Sequence, residues 1–243
     1  MKERHYFFVP NAADAQELPP DEAKHALRVL RVKAGDALWL MDGKGMFYEA
    51  EATITNNTHC FYQLRQSQTE EKAWTGNIHL AIAPTKMMER MEWMLEKLVE
   101  IGIDRFVPVR CARSERKEIK TERLTRIAVS AMKQSLKATL PVIDNMTPLA
   151  KAVATLGDGC QKFVGYCDEA VERRLLARTL QPCRDTAILI GPEGDFTPDE
   201  IKMLIDSGFI PVTMGDNRLR TETASIVGAD TFHIVAQLGD IIV

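Results

Sequence analysis

The chain has 243 residues, 45% hydrophobic and 27% charged, with a formal net charge of −3, an ordinary soluble composition with room for one large domain or a small and a medium one. No apolar run approaches the ~20 residues of a membrane helix, and the opening MKERHYFFVPNAADAQ has too short an apolar core for a signal peptide. Five scattered cysteines (Cys60, Cys111, Cys160, Cys167, Cys183) with no CxxC pair argue for reduced thiols in a cytoplasm, and five histidines without metal-ligand spacing argue against a metal site.

In chain order, DEAKHALRVLR (21–31) predicts one short helix. GDALWLMDGKGMFYEAEATI (35–54) predicts a β-hairpin around Asp42-Gly43-Lys44-Gly45, and CFYQLRQ (60–66) a further strand. The first 70 residues are therefore expected to form a small β domain, with enough chain for a compact barrel. SQTEEKAWTGN (67–77) is polar and aperiodic and is expected to be a linker.

Strand and helix then alternate. NIHLAIAP, DRFVPV, KFVGYC, AILIG and PVTMG read as strands. TKMMERMEWMLEKLVEIG places Met91, Met94, Leu95, Leu98 and Ile101 on one helical face with Gly102 as its stop, and TERLTRIAVSAMKQSL is a second amphipathic helix. This order predicts an α/β domain over residues 76–243, with a mostly parallel sheet covered by helices on both faces.

The fourth strand ends in Gly191-Pro192-Glu193-Gly194, and a helix start follows at once. Thr197 is placed as N-cap, Pro198 as the first helical residue and Glu200 as the partner in a capping box. Such a turn is either a tight connection or a binding edge at the carboxyl end of a sheet. A phosphate suits it poorly, because Glu193, Asp195, Asp199 and Glu200 repel anions and Thr197 takes up a backbone donor. No GxGxxG or GxxxxGK[ST] occurs, so a neutral or cationic guest such as an adenosine or a sulfonium fits better. The fifth strand repeats the design. Gly215 is followed by a loop crowding Arg218, Arg220 and Glu222, with Thr221 and Thr223 as candidate caps. A structural ion pair is the alternative for any one of these charged residues.

Charge is uneven. Residues 110–137 carry nine Lys/Arg against three Glu, a local +6, whereas residues 138–243 carry nine basic against fifteen acidic side chains, a local −6. His25, Arg28, Arg31 and Lys33 form a second basic patch, with Arg28 and Arg31 three apart on the short helix, and Arg113, Arg116 and Lys117 extend the track. Solvated helix faces or contact with an RNA backbone both account for such patches.

LIGPEGDFTPDEI followed by MGDNRLRTETASI resembles the C-terminal motifs of the SPOUT methyltransferases, and more narrowly of the bacterial enzymes that methylate N3 of a uridine in 16S ribosomal RNA. HALRVLRVKAGDALWLMDGKG is similar to that subfamily's PUA-like RNA-binding domain, RMEWMLEKLVEIGIDRFVPV to its first helix and second strand, and GYCDE to its third-strand loop. The resemblance implies an α/β methyltransferase domain with a deep trefoil knot after a PUA-like β-barrel, and a homodimer through the knotted domains. It implies S-adenosylmethionine as cofactor, in loops starting at Gly165, Gly191 and Met214, with Pro192, Glu193, Gly194, Gly215, Leu219, Arg220, Thr221, Thr223 and Ala224 completing the set. Gly191 and Gly194 would let the cofactor approach bare backbone.

The implied substrate is 16S ribosomal RNA or the small ribosomal subunit. Arg220 and Arg218 would meet charge on the uracil oxygens, and Glu222 would be the base or would orient Arg220. The run MKQSLKATLP departs from the family pattern, keeping Gln134 but placing Lys133 and Lys137 where an acid and an arginine are usual, which leaves positive charge for phosphate. Three rivals remain: a ribose 2′-O-methyltransferase of the same fold, a non-catalytic RNA-binding protein, and an oxidoreductase, which would need a dinucleotide fingerprint.

Overall fold

The computed structural model describes residues 4–156, 159–167 and 171–241. The chain divides into two compact units, Met1–Ala73 with Val129–Leu140, and Trp74–Ala128 with Pro141–Val243.

In the first unit, β1 (Tyr6–Phe8), β2 (Ala37–Met41), β3 (Met46–Thr55) and β4 (Cys60–Thr69) form a sheet in that order, parallel between β1 and β2 and antiparallel elsewhere. The hairpin between β2 and β3 turns where expected. Gly43 and Gly45 have φ of 75° and 103°, and Asp42 Oδ1 accepts from the Lys44 and Met46 amides at 2.7 and 3.1 Å. Side chains alternate along the strands, so Leu38, Leu40, Tyr48, Ala50 and Tyr62 join Phe7 and Val9 in a core. The strand path is open among the described residues. An isolated bridge from Glu17 to Phe61 adds to its far edge, but no strand pair closes it into a barrel.

Two expectations are corrected here. Ser67–Thr69 are not linker, because they pair with Met46–Tyr48 as the end of β4; an exposed strand of polar residues carries no apolar alternation to reveal it. Arg31 does not share a helical face with Arg28. Helix α1 (Pro20–Lys24) runs into a π-helical turn, His25–Val29, and the chain then leaves the helix with Arg31 at φ 56°. Its exit is fixed by the Leu30 and Val32 amides, which donate to the His25 and Ala26 carbonyls. Lys133 is also accounted for. Its Nζ donates to both carboxylate oxygens of Glu22 at 2.7 and 2.8 Å, so its charge is matched inside this unit rather than left for phosphate.

The second unit opens with β5 (Ile78–Ile82), α2 (Met88–Ile101), β6 (Arg105–Arg110) and α3 (Thr121–Gln134), whose last residues fall in the first unit. Then follow β7 (Val142–Ile143), β8 (Thr147–Pro148), α4 (Leu149–Thr155), β9 (Gln161–Gly165), β10 (Arg174–Leu175) and α5 (Leu176–Thr179). The chain closes with β11 (Thr186–Ile190), α6 (Pro198–Asp206), β12 (Ile210–Thr213) and α7 (Thr221–Ile241). The sheet has the order β10-β12-β9-β11-β5-β6-β7, with β8 also on β6, and every pair is parallel.

Every residue of β11 is buried, as a central parallel strand requires. In α2, Met91, Met94, Leu95 and Leu98 are buried, and the helix ends at Gly102, whose φ of 118° suits a residue without a side chain. Helix α6 has the expected capping box: Thr197 Oγ1 accepts from the Glu200 amide while Glu200 Oε2 accepts from the Thr197 amide. Because β9, β11 and β12 are neighbours and parallel, the three segments leaving their carboxyl ends meet at one edge of the sheet. No helix among the described residues is long and apolar enough to cross a membrane.

Candidate functional site

These three segments enclose a cavity of about 1090 Å³. Gly165 opens its first wall; Gly191, Pro192 and Glu193 form the second; Met214, Gly215, Arg218, Leu219 and Arg220 form the third, continued by Thr221, Glu222 and Ala224 at the start of α7. Gly194 and Thr223, expected beside them, are not on the lining. Thr223 lies exposed inside the first turn of α7. A side chain on Gly194 would face Arg113 at 3.4 Å. Asp168 and Glu169 of the third-strand loop lie outside the described residues.

Gly191, which lines the cavity, also has a packing role. A Cβ on Gly191 would come within 2.7 Å of the Phe196 ring, so its missing side chain makes room for the protein's own core. Phe196 is buried in that core beneath the turn.

The walls are tied together by hydrogen bonds. Asp195, at φ 58°, turns its carboxylate back to the Phe196 amide at 2.8 Å and across to the Cys167 amide at 3.2 Å. Arg173 Nη1 donates to the carbonyls of Tyr166 and Cys167, both at 3.2 Å. Thr221 does not cap α7; it is the helix's first residue, and its hydroxyl donates to the Gly191 carbonyl. From outside the cavity, Arg113 Nη1 donates to the Gly194 and Phe196 carbonyls at 3.0 and 3.2 Å, and the Ala112 amide donates to Glu200 Oε1 at 2.7 Å. At the start of α6 the Phe196, Thr197 and Glu200 amides donate to the Asp195, Glu200 and Thr197 side chains, in keeping with a site that is not built for a phosphate there.

Charge in the cavity is mixed. Glu193, Asp195, Asp216 and Glu222 face Arg90, Arg173, Arg218 and Arg220. Glu222 is buried, and its ion pair is with Arg90 at 3.3 Å rather than with Arg220. Arg218 and Arg220 are exposed. Arg90 was missed by the sequence reading because it is one more charge on the polar face of α2, and nothing in its spacing marks it. Tyr166 and Cys167 lie in the expected loop that starts at Gly165, whereas Arg173, further along, becomes visible only when β9 is placed beside β11.

Of the basic track, His25, Arg28, Arg31 and Lys33 are exposed on the first unit. Arg113 is committed to the turn carbonyls, and Arg116 donates to the Thr85 and Lys86 carbonyls at 3.2 and 2.5 Å. Lys117 is exposed.

Residues 71–232 match the family model of an RNA methyltransferase domain, and residues 18–60 that of an RNA methyltransferase PUA domain. A crystal structure of a probable rRNA-methyltransferase from Porphyromonas gingivalis is 45% identical and superposes with a TM-score of 0.91, covering 97% of this chain and 99% of that one. A ribosomal RNA small subunit methyltransferase E from Neisseria gonorrhoeae, crystallised with S-adenosyl methionine, is 26% identical with a TM-score of 0.83 over 98% of each chain. The enzyme of the same name from Rickettsia conorii is 28% identical over 86% of each chain.

Proposed function

The chain belongs to the RNA methyltransferase family, and from that premise we propose that it transfers a methyl group from S-adenosylmethionine to N3 of a uridine in 16S ribosomal RNA. The observation that carries this reading is the cavity at the carboxyl ends of β9, β11 and β12, lined by the segments expected to hold the cofactor. The residues fit that cofactor. Ile190, Val212, Met214 and Leu219 offer apolar surface for an adenine, and the carboxylates of Glu193, Asp195 and Glu222 suit a cationic sulfonium. When bound, S-adenosylmethionine supplies an electrophilic methyl group.

The chain's own residues must make N3 a nucleophile. Neutral uracil carries a proton there, so an acceptor is needed and the resulting charge must be stabilised. Glu222 is the acceptor, and Arg220 and Arg218 meet the charge on the uracil oxygens. Much of the remaining acceleration comes from holding the reactants together, and the target base must be unstacked to enter the cavity.

Residues 1–70 are read as a PUA-like RNA-binding domain and residues 76–243, apart from Val129–Leu140 of the first unit, as a SPOUT methyltransferase domain with a trefoil knot. The family models and the place of β11 between β9 and β5 support that reading. His25, Arg28, Arg31 and Lys33 contact RNA, as their exposure allows. The protein is read as a cytoplasmic homodimer, and pairing through this domain is supported by Trp93 of α2 and by Ile234 and Leu238 of α7, which are large, apolar and exposed on two helices that pack together.

The test is calorimetric titration with S-adenosylmethionine, followed by mass spectrometry of digested RNA from treated small subunits. Binding with a methyl group on uridine N3 is expected. No binding up to about millimolar cofactor, a free energy near −4 kcal/mol, or a methyl group on ribose, sinks the reading.

A further inference from the structure

Arg90 reaches the cavity from α2, 132 residues before Glu222, and its Nη1 donates to Glu222 Oε1 at 3.3 Å. The Glu222 side chain is 7% exposed and that of Arg90 37%. Neither side chain makes another hydrogen bond or ion pair to a described residue. A guanidinium carries five N–H donors and a carboxylate about four acceptor sites, so most of the pair's capacity is unspent. A buried carboxylate held by a single contact is a poor stabilising device, since its desolvation is only partly offset. Two charges kept in this state on the wall of a cavity are arranged for a guest.

We infer that Arg90 and Glu222 together read the imide edge of the target uracil: Glu222 accepts from N3–H while the Arg90 guanidinium donates to a neighbouring carbonyl oxygen. The inference rests on the uridine reading above and adds to it a recognition residue and a reason for base choice. Uracil presents an N–H between two carbonyl oxygens, which complements a carboxylate beside a guanidinium. With cytosine in the same register, the N3 lone pair would face the Glu222 carboxylate. A site built around one hydrogen-bond pattern rejects the base that breaks it, because its buried polar groups are then left unpaired.

The pair also suits the chemistry. As the N3–H bond breaks, the proton passes to Glu222, and the electron pair left on N3 forms the bond to the methyl carbon. The departing cofactor keeps the electrons of its sulfur–methyl bond as a neutral sulfide. As the proton leaves, the negative charge passes from Glu222 to the imide beside the same guanidinium, and it is cancelled by the sulfonium's positive charge when the methyl group is transferred. This leaves neutral products and a protonated Glu222 that must release its proton before the next turnover.

The test uses the full chain as wild type, Arg90→Lys, Arg90→Gln, Glu222→Gln and the double variant Arg90→Gln/Glu222→Gln, which leaves no lone buried charge. Thermal melting checks folding, and calorimetry measures S-adenosylmethionine affinity. Single-turnover methyl transfer at saturating cofactor is measured on small ribosomal subunits whose 16S RNA carries uridine or 5-fluorouridine.

Cofactor affinity is expected to stay within about twofold in the Arg90 variants, while the rate on uridine falls roughly 100-fold for Arg90→Gln and Glu222→Gln. Arg90→Lys should regain part of the loss. Fluorine acidifies N3–H, so 5-fluorouridine should raise the Glu222→Gln rate about tenfold more than the wild-type rate. Arg90 variants that lose cofactor affinity but keep the saturated rate would reassign Arg90 to the cofactor and overturn the inference. Wild-type rates, or an equal fluorine effect in every variant, would overturn it as well. A wild type that methylates ribose fails the uridine reading itself, and mass spectrometry of the product separates that outcome from the others.

Discussion

The Thr221 hydroxyl donates to the Gly191 carbonyl at 3.1 Å in the buried floor of the cavity, joining the end of β11 to the start of α7 across 30 residues. One hydrogen bond thus fixes two of the three cavity walls. Thr221→Val keeps the shape and removes the donor, leaving a buried carbonyl without its partner, at a cost of about 1 kcal/mol. Denaturant unfolding should show that loss, and calorimetry should show cofactor affinity reduced by more than the stability change alone would give. Thr221→Ser should restore both, and a Val variant with unchanged cofactor affinity would mean the walls hold their positions without this bond.

Arg113 acts on the same turn from behind, through its bonds to the Gly194 and Phe196 carbonyls. From charge alone it belongs with an RNA track; its geometry makes it a positioning residue for the 191–196 turn. Arg113→Gln is expected to weaken S-adenosylmethionine roughly tenfold by loosening that turn. The slope of RNA affinity against salt concentration should not change, because no phosphate contact is lost. A shallower slope with intact cofactor affinity would return Arg113 to the RNA surface.

Much of this architecture was legible because its signals are local. The Thr197-Pro198-Glu200 start of α6, the apolar stripe of α2 and the Asp42–Gly45 turn each lie within a few residues, and each is formed as expected. What escaped depends on distant partners. Strands β7, β8 and β10 have two residues each, too few for any periodicity. The Arg90–Glu222 pair joins side chains 132 positions apart, and the Glu22–Lys133 pair joins side chains 111 apart. The motif glycines pointed to the cavity, but at Gly191 the close neighbour is protein: its missing side chain makes way for the Phe196 ring. A glycine-rich turn reports close approach without saying what approaches.

His79, in β5, gives a pH dependence with a definite sign. Burial, and next the positive charge of Arg105, hold its pKa below the ordinary 6.5, outweighing Asp104, Asp185 and Asp144, and its Nδ1 is buried without a partner among the described residues. Below pH 6.5 the unfolded chain therefore binds a proton that the folded chain resists. The stability tied to neutral His79 is fully present above 6.5 and is lost as pH falls toward the lowered folded value. Melting from pH 8 to pH 5 should show this decline, and His79→Gln should flatten it; an identical pH profile in the variant would rule His79 out as its source.

Cysteine reactivity offers a mapping of the cavity that needs no RNA. Cys60 and Cys111 are buried, and burial, with the nearby Glu200 charge, pushes the Cys111 thiol up to about 12. Thiolate is the reactive form, so both should resist alkylation in the folded protein. Cys167 and Cys183 are exposed, but only Cys167 lines the cavity. Iodoacetamide labelling read by peptide mass spectrometry should therefore modify both exposed thiols in the unliganded protein. Saturating S-adenosylmethionine should slow labelling of Cys167 and leave Cys183 as an internal control. Equal labelling of Cys167 with and without cofactor would place the ligand away from the segment that follows β9, whereas selective protection would locate it there independently of any methylation assay.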